Sequence, residues 1–129
     1  MPEDVATMHV GLVSPERMLW SGEARELYAR TKIGEIGVLP GHIPILGVLA
    51  EGGVVKIVPA EGEPFRAAVS GGFLSVNNNA VSVLAEIAEL ASEIDVAAAR
   101  ADLQAAEPDS PEARWAQGRL DAAGAGPGS

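Results

Sequence analysis

Two apolar runs in the middle of the chain, Val54-Val55-Lys56-Ile57-Val58 and Phe65-Arg66-Ala67-Ala68-Val69, flank the turn residues Glu61-Gly62-Glu63. Short runs rich in Val, Ile and Phe that are bounded by glycine and charged residues are typical of β-strands joined by a turn. This stretch therefore predicts two successive strands, and the rest of the N-terminal two thirds of the chain follows the same pattern.

The flanking segments alternate or pair in the same way. Residues 8–13 alternate in hydrophobicity with a period of two, which indicates a strand with one buried face. Downstream, the apolar runs 73–76 and 81–84 flank Asn77-Asn78-Asn79, and asparagine tolerates the left-handed backbone that tight hairpin turns require. These patterns predict one further strand before the central pair and a hairpin after it.

Breaks between the strands are expected at Ser14-Pro15-Glu16, Ser21-Gly22 and Glu51-Gly52-Gly53. Strands at a spacing of roughly 8–12 residues, separated by Gly, Pro and Asn, favour an all-β sandwich or barrel. We expect two packed sheets, because a meander of this kind has two faces to cover.

Residues 92–129 are rich in alanine, the strongest helix former. Ser92-Glu93-Ile94-Asp95 resembles a capping box that opens a helix, with Glu107-Pro108-Asp109 at its end. Ser110-Pro111 suits the start of a second helix, which is expected to stop at Gly124. The predicted inward face of the first helix consists of Ile94, Ala97, Ala98, Ala101 and Ala105, and the second helix carries Trp115, Ala116 and Leu120.

An alanine-lined seam buries little apolar area, and at about 25 cal/mol per Å² it stabilises far less than a leucine seam. Helices shorter than about 12–15 residues are also marginal by themselves in water. The helical hairpin is therefore expected to dock weakly, which fits either a segment with two positions or an appendage without a function. Residues 125–129 have the composition of a flexible tail.

Composition excludes several classes of function. The chain of 129 residues has a net charge of −9 and no cysteine, so a nucleic-acid footprint and disulfides are not expected. It has no apolar run of about 18 residues and no apolar segment near its N-terminus, so neither a membrane span nor a secretory signal is predicted.

No motif indicates an enzyme. No glycine-rich phosphate cradle precedes a lysine, and the two histidines, His9 and His42, lack the spacing of a zinc site. Glu35 and His42 could form an acid–base pair, yet no nucleophile or oxyanion loop accompanies them. We expect no catalytic activity, no metal and no cofactor.

The most distinctive stretch is Gly34-Glu35-Ile36-Gly37-Val38-Leu39-Pro40-Gly41-His42-Ile43-Pro44. Its prolines fix φ and cannot donate to a strand ladder, and its glycines permit tight bends. Such a rigid loop at the end of a sandwich suits a contact surface, although by itself it is also compatible with a well-made turn.

This stretch resembles the G-E-x-G-x-L-P-x-H-x-P signature of ATP synthase epsilon subunits. Three further segments agree in the order of the family: Leu19-Trp20-Ser21-Gly22, the G-G-F strand at residues 69–76, and Val83-Leu84-Ala85-Glu86 followed by Glu93-Ile94-Asp95. The resemblance covers residues 6–101. The amino-acid composition of the chain is similar to that of actinobacterial proteins.

The resemblance implies a ten-stranded β-sandwich followed by a helical hairpin, a non-catalytic subunit of the central stalk of a proton-translocating F-type synthase. It implies gamma and the ring of c subunits as partners, with Glu35, Gly37, Pro40 and His42 facing the ring. It also implies peripheral attachment at the cytoplasmic face of the cell membrane, without insertion of this chain. The corresponding domains are residues 1–91, 92–124 and the tail.

In the family the hairpin inhibits ATP hydrolysis by contact with the alpha/beta head, and some bacterial members bind ATP through I-D-x-x-R-A. Ile94 and Asp95 match this motif, but Ala98 occupies its arginine position. Arg114 and Arg119 are the basic residues available for an inhibitory contact. Two other hypotheses remain: a free-standing β-sandwich module that binds a peptide or small ligand, and a sensor that holds a nucleotide at the hairpin.

Overall fold

The computed structural model describes residues 6–124, which form seven strands followed by two helices. The strands are β1 (Met8–Ser14), β2 (Arg17–Thr31), β3 (Gly34–Val38), β4 (Ile45–Val48), β5 (Gly53–Pro59), β6 (Phe65–Asn77) and β7 (Ala80–Leu90). A single 3-10 turn, Ala91–Glu93, leads to α1 (Val96–Ala105) and α2 (Pro111–Ala122). The predicted tail at 125–129 lies outside the described residues.

The strands close into a flattened ring. In the order β1-β7-β6-β5-β2 each strand is hydrogen-bonded to the next, and β2 pairs again with β1. The β1–β7 contact is parallel and the other pairings are antiparallel, while β3 extends the ring from β2 and β4 from β6. The predicted β-sandwich is therefore confirmed as two layers of one continuous sheet.

The implied number of ten strands is wrong, because long strands serve both layers. β2 pairs with β1 through Arg17–Ala24 and with β5 through Ala24–Ala29, and β6 pairs with β5 near its start and with β4 near its end. For the same reason the expected break at Ser21-Gly22 is wrong, since β2 continues through it.

β6 changes layer at two glycines. Before them, the odd-numbered residues Ala67 and Val69 point into the core. After them, the even-numbered residues Leu74 and Val76 do so, which means that the strand reverses which of its faces is buried. Gly71 and Gly72 have φ values of +70° and +95°, which favour glycine. A Cβ on Gly72 would lie 1.9 Å from the carbonyl oxygen of Leu84. The residue is therefore required by a close backbone approach as well as by its conformation.

The core lies inside the ring and its fully buried members are aliphatic, in keeping with an aromatic content of only 4%. The alternation in β1 is confirmed, since Met8, Val10 and Leu12 are fully buried. The asparagine turn is also confirmed, because Asn78 and Asn79 have φ values of 52° and 63° between β6 and β7.

The start of the first helix differs from the prediction. α1 begins at Val96, and its N-cap is Asp95, whose Oδ1 accepts the backbone N–H of Ala98 at 3.0 Å. Ser92 and Glu93 belong to the preceding 3-10 turn instead, so the predicted capping box at Ser92 is wrong.

The predicted face of α1 is also wrong. Ala101 and Ala105 are exposed, whereas Ala99 is buried and Leu103 is half-buried. Burying the single leucine of this helix removes more apolar area from water than burying another alanine, so the helix turns Leu103 inward.

The second helix begins and ends as predicted. The Ser110 side chain accepts the backbone N–H of Ala113 at 3.1 Å, Pro111 occupies the first turn, and Gly124 follows the helix with a φ of +74°. α2 packs on β5 and β6, and α1 packs on α2. None of the helices within residues 6–124 has the length and hydropathy to cross a membrane.

Candidate docking surfaces

The residues expected to face a ring of subunits occupy two neighbouring places. Glu35 and Gly37 lie on β3, opposite Arg30 and Tyr28 of β2. A Cβ on Gly37 would lie 3.0 Å from the Tyr28 ring, so glycine makes room for that ring. The Glu35 carboxylate lies 3.6 Å from the Arg30 guanidinium, and both side chains are largely exposed.

Pro40 and His42 lie in the loop between β3 and β4, which we call the end loop (residues 39–44). The loop is fixed to the asparagine turn, because the backbone N–H of Gly41 donates to Asn79 Oδ1 at 2.7 Å. The His42 Nδ1 donates to the carbonyl oxygen of Ile43 at 2.6 Å. The end loop therefore presents the exposed apolar side chains of Leu39 and Ile43 from a tethered backbone.

The acid–base pair considered for Glu35 and His42 does not form among the described residues, since their side chains have other partners. A different polar cluster lies on β1 and β2. His9 Nδ1 is 3.2 Å from Glu23 Oε2, and His9 Nε2 is 3.3 Å from Ser21 Oγ. Thr7 also donates to Glu23, and this bond, followed by that from His9, holds the pKa of the Glu23 carboxyl below its usual range.

The Ser21–His9–Glu23 arrangement has the order of a catalytic triad but not its environment. His9 and Glu23 are both more than half exposed to solvent. Nucleophilic catalysis requires oxyanion donors in a site that excludes water. This cluster therefore acts as a surface hydrogen-bond network.

An exposed row of apolar residues crosses five neighbouring strands. The register places Val48 opposite Phe73, Phe73 opposite Leu84, Leu84 opposite Val13, and Val13 opposite Met18. Val48, Phe73, Leu84 and Met18 are 44–61% exposed, and Leu46 extends the surface along β4. We call the five residues that face one another across the strands the apolar row: Val48, Phe73, Leu84, Val13 and Met18. Exposed apolar patches on soluble proteins are typical of interaction sites, so the row is a candidate docking surface.

The apolar row is a candidate docking surface that sequence reasoning missed. Its local signal was present, because each strand has consecutive apolar residues such as Leu12-Val13, Phe73-Leu74 and Val83-Leu84. One member of each pair fills the core and the other must point outward. What the sequence did not provide was the register that aligns the outward members.

The two arginines of α2, Arg114 and Arg119, are bound to the sandwich. Arg114 Nε donates to Glu51 Oε1 at 3.0 Å, and the Arg114 guanidinium also donates to the carbonyl oxygen of Asp109. Arg119 Nε donates to Glu89 Oε1 at 2.8 Å and its Nη1 lies 3.5 Å from Asp102, with only 13% of its side chain exposed. Both arginines therefore hold α2 against its surroundings in this arrangement.

The helix–sheet joint also involves a very close backbone approach. A Cβ on Gly118 would lie 2.4 Å from the carbonyl oxygen of Gly52, and one on Gly52 would lie 1.9 Å from the carbonyl oxygen of Arg114. Below this joint, Leu120 is fully buried. The contact depends on the absence of side chains at both glycines.

The junction before α1 is tied to the first residue of β2. Arg17 donates to Glu93 at 3.1 Å, which raises the pKa of the arginine and lowers that of the glutamate. Ile94 is half-buried, and the Asp95 carboxylate is engaged at the helix cap. The structure therefore places Ile94 and Asp95 directly before α1, and neither forms a hydrogen bond or ion pair with Arg114 or Arg119 among residues 6–124.

These features are those of a subunit that functions within a larger complex. The chain is a small β-sandwich with candidate docking surfaces, followed by a helical arm formed by α1 and α2. Residues 7–91 match the model of the ATP synthase delta/epsilon chain β-sandwich domain. The chain belongs to the ATP synthase delta/epsilon family.

Named relatives agree over nearly the whole chain. It is 52% identical over 120 residues to the ATP synthase epsilon chain of Nocardia farcinica, covering 93% of this chain and 92% of the relative. It is 53% identical over 118 residues to that of Rhodococcus opacus, covering 92% and 97%. Its fold matches a chain in the cryo-EM structure of the Euglena gracilis mitochondrial ATP synthase OSCP/F1/c-ring, with a TM-score of 0.64, 26% identity, and coverage of 93% of this chain and 79% of that one.

Proposed function

We propose that this chain is the non-catalytic epsilon subunit of a proton-translocating rotary ATP synthase, where it couples the c-ring to gamma and the catalytic head. The observation that carries the proposal is the apolar row, because it gives the sandwich a ready surface for a permanent partner. The relatives named ATP synthase epsilon chain and the structural neighbour from an F1/c-ring assembly support the same role. They give no support to a free-standing ligand-binding module.

The partner proposed for the apolar row is gamma. Stable subunit interfaces have an apolar core with a polar rim, and an apolar row flanked by polar side chains fits that pattern. Ser75 and Ser82 lie beside the row on β6 and β7, opposite each other. The row thus offers an apolar centre with hydroxyl groups at its border.

The end loop, with Glu35 and Gly37 on the adjoining strand, is proposed as the surface that faces the c-ring. Its tether to Asn79 supports this role, because a fixed backbone transmits position better than a mobile one. The exposed Glu35–Arg30 pair is expected to contribute at most about 1 kcal/mol, so orientation matters more than affinity here.

The helical arm is proposed to restrain ATP hydrolysis when it leaves the sandwich and reaches the alpha/beta head. When α2 is docked on the sandwich, Arg114 pairs with Glu51 and Arg119 pairs with Glu89. These ion pairs must break before either arginine can bind another subunit. The proposed division of the chain is therefore a coupling domain at residues 1–91 and a regulatory arm at 92–124. The nucleotide-binding role considered for Ile94 and Asp95 stays a prediction.

The epsilon assignment makes this chain a component of a membrane-associated complex. We place it at the cytoplasmic face of the cell membrane, as a peripheral subunit held by its partners.

The role of the apolar row is tested with full-length protein and a synthase head depleted of this subunit. Phe73→Glu introduces a charge within the row, between Val48 and Leu84, and is expected to abolish co-purification with gamma. Ile33→Glu is the matched control, because Ile33 is 99% exposed in the β2–β3 turn and is not a member of the row. Circular dichroism verifies that both variants fold. Equal binding by Phe73→Glu and wild type would refute gamma docking at the row.

A further inference from the structure

A groove lies between α2 and the outward face of β2, β5 and β6, with a volume of about 630 Å³. We call it the basic groove, because four of the nine Lys and Arg residues of this acidic chain line it: Arg30, Lys56, Arg66 and Arg114. The chain as a whole has a net charge of −9, so a surface where basic side chains outnumber acidic ones differs from the rest of the protein.

Two of these side chains face each other. Lys56 of β5 and Arg66 of β6 are directly opposite in the antiparallel register. Side chains at such positions start about 4.5–5.5 Å apart at Cβ, and like charges there destabilise a sheet. Neither has a hydrogen-bond or ion-pair partner among residues 6–124, although Lys56 is half-buried.

The other charged groups of the groove are already engaged. Arg30 pairs with Glu35, and Arg114 pairs with Glu51, so two acids of the lining neutralise two of its bases. The third acid, Asp121 of α2, accepts the Gln117 amide N–H at 3.0 Å and has no cationic partner within 4.0 Å among the described residues. The uncompensated positive charge is therefore located at Lys56 and Arg66.

The neighbouring strand completes one wall. Tyr28 lies opposite Lys56 on β2, and its hydroxyl donates to Glu26 at 2.6 Å, which raises the pKa of the tyrosine. Glu26 is thereby held by Tyr28 and forms no ion pair with Lys56. The Tyr28 ring borders the lysine without supplying a counter-charge.

We propose that the basic groove binds a small phosphate-bearing anion, held between Lys56 and Arg66. A guanidinium donates two parallel hydrogen bonds to phosphate oxygens, and an ammonium adds a point charge to the same group. Two cations on adjacent strands converge on one such anion, which turns their mutual repulsion into a binding contribution. The residues involved are distinct from Ile94 and Asp95, and the proposal is independent of assembly with other subunits.

The test uses isothermal titration calorimetry of the full-length chain with inorganic pyrophosphate at constant ionic strength. Wild type is expected to bind, and Lys56→Gln/Arg66→Gln is expected to weaken binding at least about tenfold, because two charge-assisted contacts are lost. Arg25→Gln/Lys32→Gln removes the same charge from exposed positions outside the groove and is expected to bind like wild type.

Two further measurements separate a built site from general charge attraction. Asp121→Asn removes the unpaired acid from the opposite wall and is expected to tighten binding. Lys56→Gln is expected to raise the melting temperature in anion-free buffer, because it removes the repulsion between strands. Orthophosphate and ATP are titrated separately, so that the source of the phosphate group is distinguished.

The proposal is overturned if neither pyrophosphate, orthophosphate nor ATP binds. It is also overturned if the groove and control double variants lose affinity equally, since that result means only non-specific attraction. Because the isolated chain is used throughout, these outcomes are independent of whether Phe73→Glu impairs gamma binding.

Discussion

Gly118→Ala tests whether the helical arm is held by the backbone contact with Gly52. The added Cβ would lie 2.4 Å from the carbonyl oxygen of Gly52 and 2.8 Å from its Cα, and neither backbone atom can move aside as a flexible side chain would. Overpacking of this kind typically costs about 1–3 kcal/mol. The helix must therefore shift away from the sandwich or leave it.

The helix propensity of alanine does not offset this penalty in the docking equilibrium. Replacing glycine by alanine favours an exposed helix by about 1 kcal/mol, but α2 receives that gain whether it is docked or free. The overpacking acts only on the docked state. The ratio of docked to free arm is therefore expected to fall by about 5–150-fold, the factor that corresponds to 1–3 kcal/mol.

Amide hydrogen exchange measures this ratio. Protection of α2 amides is expected to fall in Gly118→Ala, while protection of the ring strands β1 and β7 stays unchanged. Gly11→Ala is the control, because a Cβ there meets no atom within 4 Å. Unchanged α2 protection in Gly118→Ala, with the control also unchanged, would refute the view that the Gly52 contact holds the arm.

Two more predictions concern the same arm. Leu120→Ala removes the fully buried leucine of α2 and is expected to destabilise the arm by about 2–5 kcal/mol, measured by denaturant unfolding with exchange detection at α2. Glu93→Gln is expected to lower stability at neutral pH, because Arg17 depresses the pKa of Glu93 below its ordinary value of 4.5 in the folded state. A depressed carboxyl pKa contributes stability above the unfolded-state pKa that is lost as pH falls through the folded value, so the wild-type and Glu93→Gln melting temperatures are expected to converge in acid.

Local sequence rules predicted the strands and turns whose determinants lie close together in the chain. The alternation at residues 8–13 and the asparagine turn at 77–79 depend on near neighbours and were found correctly. The start of α1 was misplaced because Ser92 and Asp95 both have side chains that cap helices well, and in the structure the cap is Asp95. The strand number was taken from the family resemblance, which does not show how long strands are shared between layers.

The docking surfaces were less predictable because they depend on register. Phe73 and Leu84 become neighbours only when β6 and β7 are aligned, and Lys56 faces Arg66 only through the β5–β6 register. The need for glycine at position 118 likewise becomes visible only when the fold brings the backbone of Gly52 against it. Sequence motifs identified the family, and tertiary pairing revealed which surfaces it leaves available.

The position of Gly71-Gly72 leads to a final prediction, because these glycines separate two functions along β6. Phe73 of the apolar row lies directly after them. Ala68, which is buried outside the main core cluster, lies before them on β6, the strand against which α2 packs. The two outward surfaces of β6 therefore belong to different layers of the sandwich. A partner bound to the apolar row leaves the part of β6 that contacts α2 unobstructed.

Stalk attachment and release of the arm are thus expected to be separable by mutation. Gly118→Ala should retain gamma binding while changing the rate of ATP hydrolysis by the reconstituted head, and Phe73→Glu should lose binding while α2 keeps its exchange protection. Both variants are compared in both assays, with Gly11→Ala and Ile33→Glu as controls. If each variant impairs both properties equally, the two surfaces are coupled through β6, and the separation at Gly71-Gly72 is not functional.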